Sequence, residues 1–127
     1  MAVIEFVRGD GAYHNAYVPA SDWSAGGKLF FAAKQVIDDD TTDAAAVIKQ
    51  SWTDSVVSDV TINGTAYKKY TCYFPPSATS SINSEGAESL DFLGEFQYVP
   101  TSGIPITAPA KTKLTCTVYF DVNRRVT

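Results

Sequence analysis

The residues able to do chemistry in this chain are few and scattered. Its single histidine, His14, lies in the alternating run AYHNAYV, where Tyr13, Asn15 and Tyr17 share one strand face and His14, Ala16 and Val18 the other. A general base needs a nucleophile within hydrogen-bond reach, and the two cysteines, in YTCYF and LTCTVYF, are the only thiols. A Cys/His pair is one reading of His14; a strand histidine with a satisfied ring is the preferred one. Alternation puts Cys72 on a face with Tyr70 and Phe74, and Cys116 with Leu114, Val118 and Phe120, so both read as small core residues ahead of disulfide partners. There is neither a CxxC nor a Cys/His ligand set, so zinc fails on ligand count. GxSxG, P-loop, HExxH and dinucleotide fingerprints are all absent from the sequence. The expectation is no catalytic residue, no cofactor and no metal.

Two further constellations carry polar chemistry. In IDDDTTDAA, Asp38, Asp39, Asp40 and Asp43 offer hard oxygen ligands of the kind calcium accepts, but the run lacks the mid-loop Gly and the distant bidentate Glu of an EF-hand. A solvated turn is the preferred reading. The triplet Arg8-Gly9-Asp10 ends an N-terminal strand, and a structural turn accounts for each residue type. Gly9 permits a kink, Asp10 can bond the backbone just after it, and Arg8 can pair with a carboxylate such as Asp10 or Asp121. A cell-adhesive role would need an exposed, flexible loop in a setting that nothing else in the chain supports.

Aromatic side chains are the remaining candidates, with seven Tyr, seven Phe and two Trp. Phe30 or Phe31, Phe74, Phe92, Phe96 and Phe120 fall where a β core wants them. Trp23, Tyr13 and Tyr17 are expected to be exposed, and an exposed aromatic patch serves a protein contact at least as readily as a sugar platform.

The elements that must position these groups are almost entirely strands. AVIEFV, AYHNAYV, KLFFAAKQV, AAAVIKQSW, DVTINGTAYKKYTCYF, LDFLGEFQYV and KLTCTVYFDV are short, β-branched and aromatic, and divided by turn clusters, which predicts seven to nine strands. Asn63-Gly64 has the composition of a type I′ hairpin turn. Residues 42–50, with consecutive alanines, are ambiguous between helix and strand, with strand preferred. SATSSINSEGAES, residues 77–89, reads as an exposed loop, or at most one turn of helix. A length of 127 residues fits one domain with a real core, residues 1–127, and the natural architecture is an antiparallel β-sandwich. A net charge of −4 without a Lys/Arg cluster argues against nucleic acid as partner. No run of eighteen apolar residues occurs and no classical signal is recognised, so a soluble, non-membrane protein is expected.

The order of motifs adds a resemblance. FVRGD is followed by GGKLFFAAKQVIDDDTTDAAAVIKQS, then YTCYFPPSAT, FLGEFQYVP and a last strand closing on VYFDVNRRVT. This series resembles the N-terminal immunoglobulin-like β-sandwich domain of tailed-bacteriophage baseplate upper proteins and the small phage virion proteins built on the same pattern. The matching positions are Arg8, Gly9 and Asp10; Gly27, Lys28, Phe30, Ala33 and Lys34; Asp39, Asp40 and Asp43; Ala46 to Gln50; Pro76 and Ser77; Phe96 and Tyr98; and Asp121, Val122 and Arg124. The resemblance implies an immunoglobulin-like fold and a non-enzymatic structural role in the virion, at the tail, baseplate or neck. It also implies multiple copies, contacts with other virion proteins, and synthesis in the host cytoplasm. A capsid decoration or head-fibre protein is the closest alternative, and a carbohydrate-binding module using Trp23, Trp52 or tyrosines on a host glycan is another. The loops at 19–27, 77–89 and 100–110 are the expected contact regions, with Trp23, Tyr13, Tyr17, Ile82 and Pro105 as candidate contact residues.

Overall fold

A computed structural model describes residues 3–34, 47–83, 86–101, 106–108 and 114–120. Strands β1 (Val3–Val7), β2 (Ala12–Pro19), β3 (Lys28–Lys34), β4 (Ile48–Trp52), β5 (Val57–Ile62), β6 (Thr65–Phe74), β7 (Ser89–Val99), β8 (Ile106–Ala108) and β9 (Leu114–Tyr119) make up nearly all of the regular structure, with single 3-10 turns at Asp54–Val56 and Pro76–Ala78. Apolar side chains at alternate positions force this outcome. In β7, Phe92, Phe96 and Tyr98 point inward and are buried while Asp91, Glu95 and Gln97 point out, a period that only an extended chain can satisfy.

The strands form two sheets. The larger runs β1-β9-β7-β3-β4, with β8 also paired to β7, and the smaller runs β2-β6-β5. All pairings are antiparallel except β1 with β9, where Ile4 lies opposite Cys116 in a parallel register. The large sheet is therefore mixed, which corrects the expectation of a wholly antiparallel one. Tight hairpins impose antiparallel pairing, but β1 and β9 are joined only through the rest of the chain, and the ladder can run either way. Asn63 and Gly64 have φ of 50° and 81°, and Ile62 faces Thr65 across them, the geometry of a type I′ turn.

Aromatic rings join the layers. Phe74 of the small sheet meets Phe6, Phe31 and Trp52 of the large one at centroid distances of 4.8, 5.3 and 5.0 Å, each edge to face. Gly94 makes room for this seam, because a Cβ there would lie 2.9 Å from Phe31 Cζ. Phe31 is the buried member of the Phe30–Phe31 pair, and Phe30 stays 39% exposed.

Cys72 and Cys116 are free and buried, and desolvation raises both thiols to about 12. The segment 77–89 is less open than expected, since Thr79 and Ile82 are buried. β8 was not anticipated, because its short apolar run sits among prolines. Of the ambiguous stretch, Ile48–Trp52 is strand. Residues 42–46 and the acidic run Asp38, Asp39, Asp40 and Asp43 lie outside the described residues.

Phe74→Ala is expected to lower unfolding free energy by about 3–5 kcal/mol in urea titration; a loss under about 1 kcal/mol would mean the seam does not hold the layers. Both thiols are protonated in the fold at pH values where an unfolded chain already ionises. The stability they contribute is therefore intact below about pH 9 and lost as pH rises from 9 toward about 12. Native protein at pH 8 should react with a disulfide reagent only at the rate of global opening, and prompt labelling would contradict the burial.

Candidate protein-contact surface

The Arg8-Gly9-Asp10 segment is a turn clamped on every side. Asp10 N donates to Val7 O at 3.0 Å, and Gly9 takes φ +83°, where an L side chain is strained. Arg8 N extends the β9 ladder by donating to Tyr119 O, and Gly9 N donates to the buried Thr79 Oγ1 at 2.9 Å. The Arg8 guanidinium donates from Nη1 to Ile82 O at 2.9 Å and lies 4.8 Å from the Phe120 ring centroid. A carbonyl and a ring thus engage Arg8, for which a carboxylate partner was expected. Asp121, one of the two acids considered, lies outside the described residues. Ile82, a candidate contact residue, is 7% exposed, and this corrects its assignment. The 3-10 turn at Pro76–Ala78 folds the following segment inward, with Ile82 N donating to Thr79 O at 3.1 Å, so the apolar side chain joins the core.

The 19–27 loop is also tied down. Trp23 Nε1 donates to Tyr70 Oη at 3.0 Å, and Lys68 Nζ stands 4.5 Å from its ring centroid while pairing with Asp59 at 2.6 Å. Tyr98 Oη donates to Ser24 O at 2.7 Å and accepts from Ser24 N at 2.9 Å, and a Cβ at Gly27 would run into that hydroxyl. Burial raises the Tyr70 phenol to about 12, opposed in part by the Trp23 hydrogen bond. Trp52 is 8% exposed and donates from Nε1 to Tyr73 O at 3.2 Å. Both tryptophans are therefore engaged within the fold, Trp23 half-buried and Trp52 buried.

His14 lies directly opposite Cys72 in the β2–β6 register. Its Nε2 lies 3.0 Å from Glu5 O, and its ring stands edge-on to Phe6 and Phe74. Burial lowers its pKa, with the Glu5 carbonyl acting in the other direction. The facing Cys72 thiol is held protonated and directs its Sγ to Tyr70 O at 3.7 Å. This is the reverse of an activated nucleophile, which needs a depressed thiol pKa beside a base free to take the proton.

Among the described residues the fold leaves open Val3, Phe30 and Tyr119 on the large sheet and, with its rings paired, the outer face of the small sheet. Tyr13 and Tyr73 are opposed residues whose rings meet at 4.9 Å, 69% and 42% exposed. Tyr17 and Tyr67 meet edge to face at 6.3 Å further along, and Asn15, Thr71 and Ile62 are exposed between and beside them. Tyr13 and Tyr17 were legible as outward-facing from alternation in β2. Tyr67 and Tyr73 were missed, although TAYKKYTCYF sets them on the face opposite Tyr70, Cys72 and Phe74. Among the described residues, no group of three or more His, Cys, Asp or Glu is arranged to hold a metal, and no helix is long and apolar enough to cross a membrane. Pro105 lies outside the described residues. Compared with protein families, curated proteins and solved structures, the chain matches none.

Arg8→Ala removes a charged donor from a part-buried carbonyl, a loss of about 1.5–3 kcal/mol in equilibrium unfolding, and Arg8→Lys should recover only part of it because an ammonium lacks the planar fork. A change below about 0.5 kcal/mol would show that the clamp contributes nothing.

Proposed function

We propose that this chain is a non-enzymatic structural protein of a tailed-bacteriophage particle, an immunoglobulin-like sandwich that works through contacts made by its outer surfaces. An immunoglobulin sandwich divides its strands so that B, E and D share one sheet and C, F and G the other, with C′ added beside C in the variable type. Taking β1 as A, the orders β2-β6-β5 and β9-β7-β3-β4 reproduce that division. β1 departs from the constant-type plan by pairing with β9 instead of β2. The virion assignment itself rests on the motif series from FVRGD to VYFDVNRRVT.

The observation that carries the contact role is the outward tyrosine face of the small sheet, Tyr13, Tyr17, Tyr67 and Tyr73, displayed on a frame whose turns are pinned. Tyrosine presents a large, stiff, amphipathic area at low entropic cost, which is why it gathers at protein contacts. The glycan alternative has less support, because the rings it would draw on first, Trp23 and Trp52, are engaged internally.

Peptide mass spectrometry and antibody-labelled electron microscopy of purified particles from the encoding phage test the assignment. The chain is expected in multiple copies at one defined region, tail or head. Its absence from purified particles would overturn the virion reading.

A further inference from the structure

The strand orders end on β1 and β4 in the large sheet and on β2 and β5 in the small one. An edge strand shows a row of unpaired N–H and C=O groups, and charged side chains are a common means of keeping other strands off it. β1 carries Glu5, β4 Lys49 and β5 Asp59. β2, AYHNAYVP, has no Asp, Glu, Lys or Arg in its 8 residues. The edge that β1 would cover in a constant-type immunoglobulin sandwich is therefore the one edge of these that no charge guards.

Register identifies the backbone groups this edge offers. Ala20 N donates to Ala66 O at 3.0 Å, and Val18, Ala16, His14 and Ala12 stand opposite Lys68, Tyr70, Cys72 and Phe74. Bonded and non-bonded pairs alternate along an antiparallel ladder. These residues accordingly turn their N–H and C=O toward β6, and Tyr13, Asn15 and Tyr17 turn theirs to the open side. The Asn63-Gly64 hairpin gives the same parity from the other end, since closing it at Ile62 and Thr65 commits Thr65, Tyr67 and Lys69 to β5. Among the described residues, no backbone group pairs with Tyr13, Asn15 or Tyr17 on the open side, and Tyr13 and Asn15 are exposed to solvent.

We propose that β2 pairs antiparallel with β2 of a second copy of this chain, about a twofold axis through Asn15, joining two small sheets into one. Opposed residues of an antiparallel pair share a face, so the axis must pass through a residue and not between two. Centring it on Asn15 uses every free group: Tyr13 opposes the partner's Tyr17, and Asn15 opposes the partner's Asn15, each pair exchanging both N–H···O bonds. The outer face then sets tyrosine beside tyrosine, and the inner one sets Ala12 beside the partner's Val18. No like charges face each other across the axis, although each copy bears −4. This self-complementarity is what an isologous contact requires and an unrelated strand would lack. A single strand pairing buries less than the roughly 1,200–2,000 Å² of a standard interface, so the dimer should be weak.

The inference uses the proposed contact role but not the virion assignment. A dimer in solution with no chain in particles would sink only the virion assignment, and a monomer found in particles only the β2 pairing.

Sedimentation velocity of the full chain between about 1 μM and 1 mM tests it. The expected result is a reversible monomer–dimer equilibrium that Asn15→Pro weakens at least about tenfold, since proline removes a central donor yet is tolerated on an edge strand. Thr61→Pro, on the β5 edge, should leave it unchanged. If Asn15→Pro fails to give a native circular dichroism spectrum, Asn15→Lys serves instead, because it sets two like charges together on the axis. A wild type monomeric across the range overturns the proposal. So does a folded Asn15 variant that dimerises as tightly as the wild type, or a Thr61→Pro protein that loses the dimer equally.

Discussion

The edge-to-face packing of Phe74 against Phe6, Phe31 and Trp52 is the interaction on which the rest of the structure depends. Each sheet alone would expose one apolar face, and the smaller one, with three strands, has only the minimum for independent stability. Rings from three different strands of the large sheet converge on this one residue. Phe74 therefore sets how the small sheet lies across β1, β3 and β4, which backbone ladders place in the large sheet. Gly94, with no side chain of its own, lets Phe31 reach the seam.

With the layers joined, polar groups close the two ends of the sandwich. At one end the Arg8 guanidinium, the Thr79 hydroxyl and the Ile82 carbonyl tie the first turn to the segment after β6. At the other, the Tyr98 hydroxyl bonds Ser24 through both its donor and its acceptor, while Trp23 reaches Tyr70. These bonds engage Arg8 and Trp23, and Trp52 is likewise bonded within the fold through Tyr73 O. Among the described residues, the tyrosine-bearing outer face and the neighbouring edge of β2 stay outside these ties.

Much of this was legible in the sequence, for reasons particular residues make plain. Alternation placed Cys72 with Tyr70 and Phe74 and put Tyr13 and Tyr17 outside, because a half-buried strand tolerates no other period. Asn63-Gly64 announced its hairpin, since few other pairs accept positive φ at both positions. Less was legible where long-range partners decide. Nothing local to VIEFV says that it pairs parallel with a strand more than a hundred residues away in register, Ile4 opposite Cys116. Nor does SATSSINSEGAES disclose that Thr79 and Ile82 are drawn under the Arg8 turn, because its polar composition outweighs two inward side chains. The carbonyl and the ring that engage Arg8 likewise come from distant segments that nothing local to FVRGD announces.

The two ring-joined sheets leave the outer side of β2 as the edge, among the described strands, that carries no charged side chain. Residue-resolved hydrogen exchange in dilute solution tests this most directly. Amides of His14, Ala16 and Val18 should exchange slowly, at the rate of global opening, and those of Tyr13, Asn15 and Tyr17 quickly, an alternation along a single strand. Uniform protection of β2 would mean that another segment already covers that margin, and uniform fast exchange would mean that β2 is not held in the small sheet at all; either result contradicts the account.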